Sequence, residues 1–166
     1  LYASFGFDHS EVVTLFLMTY ASSAVLGTLV GMLADRLGRK RGCFLFVVLF
    51  IMSTLGKCSA HHSFTRLTVC HVVDGIVLSL LYTSFESWMV SEHFASCYPQ
   101  THLHRTFELG SIMNGAIAVI AGIVSSIAAG IAGNYGPFAG SLIPVLCSAM
   151  LMRNWTENFG EVAGPF

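Results

Sequence analysis

Apolar residues fill this chain in long blocks, at 12–34, 42–60, 67–90, 111–133 and 136–152, and the polar residues gather in the short stretches between them. Blocks of this length exceed a β-strand and suit helices. The first would rise about 34 Å, enough to cross a hydrocarbon layer of about 30 Å. The last is short and borrows from Tyr135 or tilts little. Lys57 stands near the end of the second block, where its stem can snorkel outwards. The pattern predicts an all-α integral membrane protein with about five transmembrane helices.

Small residues recur every fourth position on two of these blocks. Ser23, Gly27 and Gly31 form one row; Ala118, Gly122, Ser126 and Gly130 form another, beside Ala121, Ser125, Ala129 and Gly133. Such rows let helix backbones approach closely where lipid supplies no hydrophobic drive for association. They predict a packed bundle and say nothing of transport.

Composition agrees. The chain is 54% hydrophobic and 10% charged, with mean hydropathy +0.70, whereas soluble domains carry about 25% charged residues. A net charge of −1 argues against nucleic acid as a partner and leaves the lipid bilayer. Cys43, Cys58, Cys70, Cys97 and Cys147 lack CxxC spacing, so neither a zinc site nor a disulfide framework is expected. His93, Cys97, His102 and His104 gather in the stretch 91–110 without metal-ligand spacing and read as a solvated loop. No nucleophilic triad, phosphate-cradling glycine loop or HExxH is present. The expectation is a protein that is not an enzyme and needs no cofactor or metal. The chain opens on Leu1 and stops just after a helix, so a fragment is expected.

The basic residues set an orientation. Arg36, Arg39, Lys40, Arg41, Arg105 and Arg153 fall on one side of the alternating spans, against Lys57 and Arg66 on the other. The positive-inside rule then places residues 35–41, 91–110 and 153–166 in the cytoplasm. Asn154-Trp155-Thr156 is a formal glycosylation sequon on the cytoplasmic side, expected to be unused.

The third span carries ionisable groups, and intramembrane charges are functional candidates by default. At about 100° per residue from His71, Asp74 falls at −60°, Tyr82 at 20° and Glu86 at 60°. Gly75, Ser79 and Thr83 continue this arc, while Val69, Val73, Ile76 and Leu80 lie opposite. One face is therefore polar, as the wall of an aqueous cavity would be. A plainer reading stands beside it: Glu86 reaches interfacial water, and His71 and Asp74 satisfy each other at i,i+3 spacing. Asn114 on the fourth span is a further polar candidate, for a cavity or for an interhelical hydrogen bond.

The order of residues Gly31, Leu33, Ala34, Asp35, Arg36, Gly38, Arg39, Lys40 and Arg41 resembles the signature loop between the second and third helices of the major facilitator superfamily. Together with Phe85-Glu86-Ser87-Trp88-Met89-Val90-Ser91-Glu92-His93 and Arg153-Asn154-Trp155-Thr156-Glu157-Asn158, it resembles the molybdate-anion transporter family over essentially the whole chain. The resemblance implies a twelve-helix fold of two six-helix halves, of which this chain would be part of the N-terminal half, helices two to six. Helix one and the C-terminal half would be needed to complete the substrate site.

By resemblance, Gly31, Asp35, Arg36, Gly38, Arg39, Lys40 and Arg41 form a gating loop, with Asp35 as a latch for one access state. Glu86, Trp88 and Asn114 join His71, Asp74 and Tyr82 as cavity candidates. The superfamily usually places an arginine four residues before a glycine in the helix where His71 precedes Gly75. An arginine suits a dianion because it stays charged and donates bidentate hydrogen bonds; histidine titrates near neutral pH. The implied function is uptake of molybdate or a similar oxyanion by alternating access in the plasma membrane. A major facilitator carrier of a sugar or organic ion, or a membrane interaction protein without transport, remains open.

Overall fold

The computed structural model describes residues 2, 5–60 and 63–159, and among them the regular structure is helical. Helix α1 spans His9–Leu37, α2 Arg39–Ser59, α3 Phe64–Ala95 and α4 Gln100–Ala132; a single 3-10 turn at Gly133–Tyr135 leads into α5, Gly136–Met152. The start of α1 is set locally. The Asp8 N–H donates to the Glu11 carboxylate at 2.9 Å, and the Ser10 hydroxyl donates to Asp8 at 2.9 Å, holding its carboxyl below the usual range.

Helices α1, α3 and α4 have 29, 32 and 33 residues, so each outruns the roughly 20 needed to span a bilayer. This corrects two expectations about loops. The stretch 91–110 is mostly helix, because nothing interrupts the hydrogen-bond ladder between Ser91 and Ala95 and Pro99 caps the next helix. Only residues 96–99 connect the two, with Cys97 at a positive φ of 55°. The gating segment is likewise two helix ends joined at Gly38, whose φ of 111° stops α1 and lets α2 start one residue later. Glycine suits that position because a side chain would be strained there. Of the expected cytoplasmic stretch 153–166, residues 160–166 lie outside the described residues.

Helix α3 is the central element, with α1 along one side and α2 along another. The main core joins Ala34, Cys43, Phe46, Val47, Val77, Leu80 and Met152, so it draws on α1, α2, α3 and α5. A smaller cluster of Phe5, Leu15, Ala60 and Leu67 closes the other end. The α1 row of small residues works as its spacing predicts. The Ser23 and Ser79 hydroxyls are 2.9 Å apart, and a Cβ added at Gly27 would lie 2.6 Å from the Ser79 hydroxyl.

Helix α4 differs. It has no buried residue, and a Cβ at Gly122 or Gly130 would meet nothing within 4 Å. The expectation of close packing along that row is not met among the described residues, where no helix covers that face. The half-buried Ala128 and Ala129 lie on the side where α5 folds back, and their backbone receives Gly136.

By length and composition, His9–Leu37, Arg39–Ser59, Phe64–Ala95 and the stretch Gln100–Met152 can each cross a membrane, with mean hydropathies of 1.7, 1.8, 1.6 and 2.2. The last stretch contains both α4 and α5.

Candidate functional site

The polar residues of α3 do not share one environment. Towards its start, His71 is 2% exposed and held by neighbours. Its Nε2 lies 2.9 Å from the Tyr2 hydroxyl and its Nδ1 lies 2.8 Å from Thr19 Oγ1 on α1. The Tyr2 phenol is pushed up to about 12, first by burial and then by the Asp74 charge, so it is protonated at neutral pH. One turn on, Asp74 turns to α2, where it pairs with Lys57 and accepts from the Ser53 hydroxyl. His71 Nδ1 stands 3.9 Å from Asp74 Oδ2. Lys57 does not snorkel outwards: its side chain is 13% exposed and engaged inwards by this carboxylate.

Further along, residues of α3 and α4 line a cavity of about 480 Å³. Tyr82, Glu86 and Asn114 line it, with Thr106 and Ser111 adding hydroxyls and Phe107 an apolar wall. Tyr82 and Glu86 are exposed, as is Asn114. The structure thus brings Tyr82, Glu86 and Asn114 together and sets His71 and Asp74 in interhelical seams. Trp88 is apart from both groups.

Trp88 belongs to a clasp at the far end of α3. Its ring stacks on Trp155 with centroids 3.8 Å apart and planes 12° from parallel, and its Nε1 donates to the Thr156 carbonyl at 2.8 Å. Thr156 Oγ1 donates to Glu92 at 2.7 Å, and Asn158 Nδ2 donates to the Trp88 carbonyl at 3.3 Å. The same segment reaches the junction of α1 and α2. The Arg39 N–H donates to the Asn158 carbonyl at 2.9 Å, the Lys40 N–H to Glu157 Oε1 at 2.9 Å, and Lys40 Nζ to the Arg153 and Trp155 carbonyls at 3.0 and 2.6 Å. Arg41 Nε is 3.7 Å from the Glu157 carboxylate.

Arg39 completes the junction. It pairs with Asp35 at 2.9 Å and crosses to α3, donating to the Ser87 carbonyl at 3.0 Å and to the Ser91 hydroxyl. A Cβ at Gly38 would lie 2.5 Å from Glu157 Oε1, so glycine serves the close approach as well as the turn. Gly31 faces Thr83 of α3, while Arg36 is exposed. The segments around Gly38, Trp88 and Trp155 are far apart in sequence, yet they form one assembly at one end of the bundle.

A family model described as sugar transporters with 12 transmembrane segments, within the major facilitator superfamily, matches residues 1–165. The chain belongs to this major facilitator family. It is similar to the molybdate-anion transporter of Xenopus tropicalis, 31% identical over 98% of this chain and 36% of the relative. The molybdate-anion transporter of Xenopus laevis is 30% identical over 98% of this chain and 37% of its own length, and that of Takifugu rubripes 29% over 97% and 34%. The chain therefore spans about a third of the length of the curated relatives it matches. No solved structure matches it.

Sequence reasoning missed several residues of these sites in the facilitator chain. Tyr2, Thr19 and Ser53 are hydroxyls on neighbouring segments, and no spacing within α3 points to them. Glu157 lies within the Arg153–Asn158 motif, and nothing in that motif points to its partners at Lys40 and Arg41. Lys57 carried a signal, because it is a cation close to an apolar block that also faces an acidic partner span. Among the described residues, no group of three His, Cys, Asp or Glu side chains is placed to hold a metal.

Proposed function

We propose that the full-length protein carries molybdate or a similar oxyanion across a membrane by alternating access, and that this chain supplies helices two to six of its N-terminal half. The observation that carries the reading is the similarity to relatives named molybdate-anion transporters along nearly the whole chain. Two features of the fold support it. The clasp joins the gating segment to the ends of α3 and α5, which is where a latch between access states would act. The cavity between α3 and α4 offers polar groups at the wall of an otherwise apolar bundle.

The clasp end also carries Arg36, Arg39, Lys40, Arg41 and Arg153, which supports placing it in the cytoplasm, with the plasma membrane as the site of uptake. Asp35 and Arg39 would hold the inner end closed, and Tyr82, Glu86 and Asn114 would line part of the substrate path. In full-length relatives the remaining helices would complete that path.

A carrier of a neutral sugar is the second reading, favoured by the description of the matching family. The charge of Glu86 separates the two. An ionised carboxylate on the cavity wall repels an oxyanion, so Glu86→Gln in the full-length protein should lower the KM for molybdate by up to about tenfold, less if salt screens the exposed group. A carboxylate that accepts hydrogen bonds from sugar hydroxyls would instead make the same change raise the KM for a sugar. Radiotracer uptake of molybdate and a hexose panel in cells of matched surface expression decides between them.

A further inference from the structure

We propose that His71, Asp74 and Lys57 form a proton-binding site, separate from the cavity lined by Glu86, whose loading favours entry of the anion. The inference rests on the oxyanion reading for its consequence, but the site itself stands on geometry. The groups around His71 are the Tyr2 hydroxyl and the Phe16 ring, Thr19 of α1, Lys57 of α2, and Cys70 and Asp74 of its own helix.

Hydroxyls contact both ring nitrogens, and hydroxyls donate or accept with equal ease. With Tyr2 donating to Nε2, the neutral ring donates from Nδ1 to Thr19. In both states Thr19 accepts from Nδ1 and turns its own hydrogen towards the Leu15 carbonyl, 3.5 Å away; a second proton goes to Nε2, and Tyr2 reverses to accept from it. Both ring nitrogens therefore keep a hydroxyl partner whether the ring holds one proton or two. A core histidine locked by a carbonyl on each side would lack that freedom.

Charge does the rest. With His71 neutral, the cluster sums to zero, because Lys57 and Asp74 cancel. A proton gives it a net positive charge inside a membrane protein, where an unbalanced charge is costly. Arrival of an anion offsets that charge, and the positive cluster in turn attracts the anion; the coupling is reciprocal. No bond to the anion is required, since Coulomb interaction is long-ranged in a low-dielectric interior.

The test uses the full-length protein at matched surface abundance. Wild-type molybdate uptake should rise about threefold or more between about pH 7.5 and 5.5, the range in which histidine titrates. His71→Gln should be low and flat across that range. Asp74→Asn leaves Lys57 unbalanced, mimicking the loaded site, and should be flat at the acid level; Asp74→Asn with Lys57→Gln restores neutrality and the pH response. A wild-type-like profile in His71→Gln overturns the proposal. If the wild type takes up no molybdate, the oxyanion reading fails, and the site is then judged by 15N-histidine NMR of the purified protein in nanodiscs. A His71 resonance that titrates between about pH 5 and 8 and responds to Asp74→Asn upholds the site; one that does not titrate, or that ignores Asp74→Asn, overturns it.

Discussion

At position 75 a side chain has nowhere to go. A Cβ there would overlap the Thr19 carbonyl oxygen and the Ser22 hydroxyl of α1 and lie 2.7 Å from the Ser23 nitrogen. Most of these obstacles are backbone, so α1 and α3 must separate rather than a side chain yield. Gly75→Ala should therefore destabilise the bundle by about 1–3 kcal/mol, read as a lower midpoint in thermal unfolding in detergent. Gly31→Ala on α1 is the control, since a Cβ there would meet only the Thr83 methyl at 3.9 Å, an ordinary contact, and the midpoint should hold. An unchanged midpoint for Gly75→Ala would show that the seam tolerates widening. At this scale the sequence marked His71 and Asp74 as unusual but not their partners. Periodicity along α3 fixes the angle of each side chain about that helix, and leaves undefined which helix stands at that angle. Lys57 shows the limit well: a lysine near a span end can snorkel or turn inwards, and only the position of Asp74 across the seam decides.

Between elements, the clasp ties the end of α5 to the start of α2 and the end of α3. Its aromatic part is the stacked Trp88–Trp155 pair, and such pairs contribute about 0.5–1.5 kcal/mol beyond their burial. A double-mutant cycle with Trp88→Ala and Trp155→Ala should return a coupling of about that size, with urea or thermal unfolding as the readout. Additive losses would mean that the rings are neighbours without being partners, leaving the hydrogen bonds of Lys40, Glu157 and Asn158 to hold the segment. The helices themselves were legible, because apolar blocks of such length leave little choice in a membrane. Their ends were not. Residues 91–95 and 100–110 are polar enough to read as loop, yet they continue helices that protrude beyond the apolar layer, and hydropathy does not register that. The convergence of the Gly38, Trp88 and Trp155 segments was legible only as shared sidedness, since local pattern carries no information on which of several segments at one end touch.

Across the whole molecule, the odd-numbered helices end and the even-numbered helices begin at the clasp, so a single orientation assigns every connection. The uncovered face of α4 belongs to this scale too. Among the described residues, a Cβ added at Gly122 or Gly130 of its small-residue row would meet nothing within 4 Å, while the chain accounts for 36% of the length of a relative. Its spacing is therefore legible as a packing surface, but its partner is not to be found among these helices. The orientation has a direct test in Cys97, which is exposed at the α3–α4 turn on the clasp side. In a full-length protein stripped of its other cysteines, an impermeant maleimide should label Cys97 only after the membrane is permeabilised. Ser10→Cys, at the opposite end of α1, should react in intact cells, and Asn154 should carry no glycan. Reversed labelling would put Arg36, Arg39, Lys40 and Arg41 outside, against the bias that positive charge imposes on insertion, and would move the proton site from the outer mouth of the bundle to the inner one. The direction of the pH effect on uptake would then follow cytoplasmic rather than external pH, which links the orientation of the chain to the way its buried histidine is loaded.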